Sequence, residues 1–150
     1  KRVWGFDQNA LDEFYAKYDD PQESLVDFSE EAFMAELEAV KAYLLDLERA
    51  TTAITRFAKA FGSFYTLWSV VALERPHLPP APEAARRYQD FMQKVERLSG
   101  EKNLDAFLRS EDAQGFTDPW IYLTNVRGAN TDLGPRQQRF DVLKSALVVR

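Results

Sequence analysis

Between Ile54 and Val71 the chain places Ile54, Phe57, Phe61, Phe64, Trp68 and Val71 at steps of three and four, with Ala58, Tyr65 and Ala72 widening the same face. A helix with 3.6 residues per turn brings such a set to one side, and a helix this apolar has to be covered by neighbours. The spacing predicts an aromatic-rich central helix surrounded by others. Strand-like alternation is lacking apart from Val148-Val149, and no segment repeats.

The flanking sequence repeats the same signal. Leu11, Phe14, Tyr15 and Tyr18 form a first stripe that Asp19-Asp20-Pro21 stops. Ser29 is a predicted N-cap, with Phe28 and Phe33 as a hydrophobic staple; Phe33, Leu37, Val40, Leu44 and Leu47 follow to about Ala50. Thr51-Thr52 is read as the cap of the central helix, Pro76 as its end, and Pro79, Pro80 and Pro82 as a stiff connection. Tyr88, Phe91, Val95 and Leu98 give a helix from Glu83 to Ser99-Gly100, where a left-handed residue is wanted. Asn103 caps a short helix carrying Leu104, Phe107 and Leu108. After a loop over Ser110 to Thr117, Asp118-Pro119 opens another with Trp120, Ile121 and Leu123, and Pro135 opens a last one with Phe140, Leu143 and Leu147. The expected fold is all-α, an irregular bundle of about five to seven helices forming one domain over residues 1–150.

Composition narrows the chemistry. With no cysteine the chain has no disulfide, thiolate nucleophile or cysteine zinc site, which fits a reducing compartment and a cytoplasmic location. The most apolar segment, Phe57 to Leu73, is interrupted by Lys59, Gly62, Ser63, Thr66 and Ser69, so no membrane span is expected. Lys1-Arg2-Val3-Trp4-Gly5-Phe6 lacks an initiator Met and has no apolar leader behind it, which reads as the cut edge of a longer protein. Neither G-x-x-x-x-G-K nor G-x-G-x-x-G occurs, so no phosphate loop and no nucleotide cofactor are predicted. No Glu-x-x-His pair is present to hold a metal in a bundle; Glu30, Glu31, Glu36, Glu38, Asp46 and Glu48 fall mostly off the apolar stripe and read as a solvated face. His77, between Pro76 and Leu78, has no neighbouring group to orient it and is expected in solvent.

Charge is uneven along the chain. Residues 1–50 carry five Lys or Arg against thirteen Asp or Glu, residues 51–100 seven against four, and residues 101–150 seven of each. A phosphate backbone would meet repulsion from the first third, so the whole domain is not a general nucleic-acid binder. Within the last thirty residues Arg127, Arg136, Arg139, Lys144 and Arg150 face only Asp132 and Asp141. There Arg127, Asn130, Arg136, Arg139 and Lys144 are the candidate residues for an anion or DNA, beside backbone N–H groups at a helix start. The alternative is that Asn130, Thr131 and Asp132 cap the turn while Arg136 and Arg139 pair with the acidic first half. Most aromatics repeat at core spacing and are expected inside; Trp120 and Tyr122, just before the basic segment, are the exceptions.

The order of a tyrosine-and-acid-rich opening helix, Leu11-Asp-Glu-Phe-Tyr15, an aromatic central helix from Arg56-Phe57 to Leu73, and a closing Asn130-Thr-Asp-Leu followed by Arg136-x-x-Arg139 resembles the helical C-terminal region of bacterial ParB-like nuclease proteins of the GmrSD type IV restriction class. That family's D-G-Q-Q-R signature is not here: Gln137-Gln138-Arg139 follows Gly134-Pro135-Arg136. The resemblance implies a helical module without catalytic residues, belonging to a restriction or phage-defence nuclease that uses nucleoside triphosphate. It would pack on the N-terminal nuclease domain of the same protein and contact DNA or a partner through its basic C-terminal segment. The acidic first half and the aromatic excess support a different expectation, a protein-interaction bundle with no nucleic-acid role, self-association included.

Overall fold

The computed structural model describes residues 29–127 and 132–148, and among them all regular structure is helical. Seven α-helices follow one another: α1 Glu30–Thr51, α2 Ala53–Phe57, α3 Phe61–Glu74, α4 Ala81–Gly100, α5 Leu104–Leu108, α6 Thr117–Arg127 and α7 Leu133–Leu147. Single 3-10 turns at Arg75–His77 and Glu111–Ala113 complete the set. This is the all-α bundle expected. The stripe from Leu11 to Tyr18 and Phe28 lie outside the described residues.

Ser29 and Asn103 cap as their positions predict, accepting from the Ala32 amide at 3.2 Å and the Ala106 amide at 3.3 Å. The end of α1 differs from expectation. Thr52 adopts φ 56, a left-handed conformation in which its amide closes on the Glu48 carbonyl at 2.8 Å. Its hydroxyl turns back to the Thr51 carbonyl, so neither threonine caps the next helix. Glu48 does so instead, accepting from the Ile54 amide at 2.8 Å, the Thr55 amide at 3.2 Å and the Thr55 hydroxyl. Gly100 is not left-handed either: it completes α4, and the chain leaves through an extended Glu101. Among the described residues the left-handed glycine is Gly115, φ 78, just before α6.

The predicted central helix is broken. α2 stops at Phe57, Ala60 is extended, and α3 begins at Phe61 with the Ala60 carbonyl accepting from Ser63 and Phe64. No proline or glycine forces this. The break rephases α3, whose buried residues are Ser63, Thr66, Leu67, Ser69, Val70, Val71 and Glu74, while Phe61 is 80% exposed and Phe64 37%. Small side chains let a neighbouring helix approach closely. Tertiary packing has overridden the aromatic stripe.

The core is continuous across the helices. Val40, Leu44 and Leu47 of α1, Leu67 and Val71 of α3, Tyr88 and Met92 of α4, Tyr122 of α6 and Phe140, Leu143 and Leu147 of α7 belong to one cluster. α1 packs on α4 and α3, α6 on α7 and α4, and α3 on α7. Phe91 meets Tyr122 edge-on at 5.5 Å and Phe107 meets Phe116 at 5.1 Å. Tyr43 of α1 donates its hydroxyl to the Pro79 carbonyl at 2.6 Å, tying the proline connection to the bundle.

Two expected outcomes follow from these contacts. Glycine at position 52 relieves a left-handed β-branched residue, so Thr52→Gly raises unfolding free energy by about 0.5–1 kcal/mol in a urea melt, after allowing for the extra entropy of the unfolded glycine. Burial, with Glu83 adding to it, pushes the Tyr43 phenol up to about 12. Its neutral form is therefore favoured by folding. Stability holds to about pH 10, where the unfolded tyrosine begins to ionise, and is lost as pH rises toward the folded value. Thermal melts across that range should show a shallower loss for Tyr43→Phe, with Tyr88 and Tyr122, also raised by burial, supplying the remainder.

Candidate docking face

The five residues expected to receive an anion are not presented together. Arg127 donates to the Ser99 hydroxyl at 2.6 Å, linking the end of α6 to the end of α4. Asn130 lies outside the described residues. Lys144 is held by Glu74 at 2.8 Å, beside a shallow hollow of about 310 Å³ lined by Asp141, Lys144, Ser145 and Val148. Arg136 lays its guanidinium over the Tyr65 ring at 5.4 Å and leaves one buried nitrogen without a hydrogen bond.

Arg139 is the clearest correction, because it is 1% exposed. Its Nε donates to the Thr66 hydroxyl at 3.3 Å and its Nη1 to the Asn125 carbonyl at 2.7 Å. Thr66 in turn donates to the Gly62 carbonyl, and the Asn125 amide donates to Ile121 and Gln138. Burial lowers the Arg139 pKa; Tyr122 acts against that and Arg136 with it. A guanidinium so placed joins α3, α6 and α7 and is closed to a phosphate backbone. The Tyr122 hydroxyl sits in the same interior region and has no hydrogen bond of ordinary geometry. Tyr122, expected as an outside aromatic, is a core residue.

His77 is exposed as expected, yet the helical turn brings Glu74 to 3.5 Å from its Nδ1, a partner three residues back that the linear reading overlooked. Glu36 pairs with Arg75, Glu38 with Lys41 and Asp46 with Arg49, in line with a solvated acidic face. Among the described residues no group of three or more His, Asp or Glu side chains is placed to hold a metal ion. None of their helices is long and apolar enough to cross a membrane.

What the structure does assemble lies where α1, α2 and α3 meet. Lys41, Leu44, Leu45 and Glu48 of α1, Ile54 and Thr55 of α2, and Phe64 and Trp68 of α3 line a groove of about 260 Å³. Its walls are chiefly hydrocarbon. Phe64 and Trp68 sit 6.1 Å apart in a tilted pair, and Phe61 and Tyr65 continue the aromatic surface as a stacked pair at the same distance. Leu45 is 54% exposed at the rim. Sequence periodicity placed Phe61, Phe64 and Trp68 inside; the signal against it was the run Ser63, Thr66, Ser69, Val70, which offers a small-residue face of equal length.

No family model, curated protein or solved structure matches this chain.

Removing the interior arginine should be costly in a way that removing its neighbour is not. Arg139→Ala leaves Thr66, the Asn125 carbonyl and a cavity behind and costs about 3 kcal/mol, whereas Arg136→Ala costs about 1 kcal/mol or less. Arg139→Met, which keeps the volume, recovers more than half of that loss; equal midpoints for the two alanine variants in guanidinium chloride would contradict the placement.

Proposed function

We propose that this chain is a helical docking module that holds a protein partner on the face formed by α1, α2 and α3. The observation that carries the reading is the rephased α3, which turns Phe61 and Phe64 toward the surface and leaves Trp68 half-buried against the core, beside Leu45 and an apolar groove. Contiguous apolar surface of this kind is costly to leave in water and marks interaction sites, and Trp, Tyr, Phe and Arg are the residues that dominate binding at such sites. The basic C-terminal segment gives less support to a DNA-contacting role, since Arg127, Arg139 and Lys144 are engaged by protein atoms.

The resemblance to ParB-like nuclease proteins supplies a setting. In that setting the module joins the larger nuclease to its partner and leaves the chemistry to another domain.

Anilinonaphthalene sulfonate, whose emission rises on apolar surface, tests the face. The chain should enhance its fluorescence, and a Leu45→Glu, Phe61→Ser double variant should lose most of the enhancement with a melting temperature within about 3 °C of the parent, as both residues are exposed. An unresponsive parent chain would sink the docking reading. Salt-dependent retention of duplex DNA that Arg136→Glu abolishes would move the function to the basic segment instead.

A further inference from the structure

We propose that the occupant of this face is a second copy of the same chain, docked with its α1 antiparallel across a two-fold axis near Leu44. The proposal rests on the docking reading and adds the identity of the partner. It starts from the charges that frame Leu45. Glu38, Lys41 and Arg49 flank it on the outer side of α1 with side chains 60%, 48% and 75% exposed, Glu38 and Lys41 pairing with each other at 2.7 Å and Arg49 with Asp46 at 2.9 Å, while the half-buried Glu48 stands at the edge toward α2. A docked copy would share these exposed charges across the interface.

Their register is self-complementary. Glu38 lies six residues before Leu44 and Arg49 five after it, while Lys41 lies three before and Glu48 four after. At about 1.5 Å per residue, an antiparallel copy centred there sets Glu38 level with the partner subunit's Arg49, and Lys41 level with the partner subunit's Glu48, within about 1.5 Å. Helical rotation of about 100° per residue puts Lys41 and Glu48 on one flank of Leu45 and Glu38 and Arg49 on the other. A two-fold axis across antiparallel helices sets like flank against like flank, so both opposite-charge matches form, and each forms twice. A parallel two-fold copy would set unlike flanks together, bringing Arg49 level with the partner subunit's Glu48 to about 1.5 Å but leaving Glu38 and the partner subunit's Lys41 about 4.5 Å out of register, so only the antiparallel copy matches both pairs closely.

Shape points the same way. The face carries its own projections, Leu45 and Phe61, next to its own recess between Leu45 and Trp68, as a surface that binds itself requires. Glu48 already accepts three hydrogen bonds from α2, and a carboxylate has room for a further one. Rim pairs such as these set register and specificity, while the apolar groove supplies the affinity.

Sedimentation of the 150-residue chain from about 1 to 100 µM reads the result. A monomer–dimer equilibrium is expected, weakened about tenfold or more by Leu45→Glu and about tenfold by Arg49→Glu, which sets acid against acid at two places. The charge-swapped pair Glu38→Arg with Arg49→Glu should return affinity to within about threefold of the parent, a rescue that damage to folding could not produce. A chain that stays monomeric overturns the proposal, as does a dimer indifferent to Leu45→Glu and Arg49→Glu, and a swap that fails to rescue overturns the antiparallel register. Dye enhancement by a monomeric chain would leave the docking face standing and remove the second copy alone.

Discussion

The guanidinium of Arg139 governs how the bundle is put together. Held inside, it needs acceptors from neighbouring elements, and it takes them from Thr66 on α3 and the main chain of Asn125 on α6. Thr66 must then point inward. Residues two apart on a helix differ by about 200°, so an inward Thr66 sends Phe64 and Trp68 toward the opposite side. The buried charge and the small-residue face of α3 thus favour the same phase, with the aromatics outward, and the break at Ala58–Ala60 lets the chain reach it with Ala53 and Ala58 both buried.

Arg139 also separates two roles that a charge count merges. Five cations in the last thirty residues suggested a surface for anions. In three dimensions Lys144 neutralises the buried Glu74, Arg127 ties two helix ends, and Arg139 is structural. Arg and Lys side chains are long enough to serve neighbours several turns away, and their function depends on which neighbour is in reach.

Much of the fold was legible in the sequence. Ser29 and Asn103 capped where their side-chain oxygens could reach free amides, and Val40, Leu44 and Leu47 of α1 entered the core with the stripes of α4 and α7, whereas Phe33 at the start of the α1 stripe is 53% exposed and α7 buries Arg139 beside its apolar residues. α3 was not legible, for a physical reason: both of its faces are apolar enough to bury, and periodicity cannot choose between large aromatics and small residues that permit closer approach. Glu48 as a cap was hidden because it lies six residues from the amide it serves, across a left-handed Thr52 that composition does not announce. The candidate face inherits both gaps. Leu45 stood just off the predicted stripe, and Phe64 and Trp68 were assigned to its interior.

The capping of α2 has a mechanical consequence. Five residues are too few to hold a helix in water by their own hydrogen bonds, so α2 exists because Glu48 clamps its first amides and Ala53 is sunk in the core. Ile54 and Thr55, which line the groove, therefore ride on a segment held by that carboxylate together with the buried Ala53 and the Arg56–Glu96 pair. Whatever loads the groove also loads that clamp. Local opening of α2 and occupancy of the groove become linked equilibria, each shifting the other without any movement of the bundle behind them.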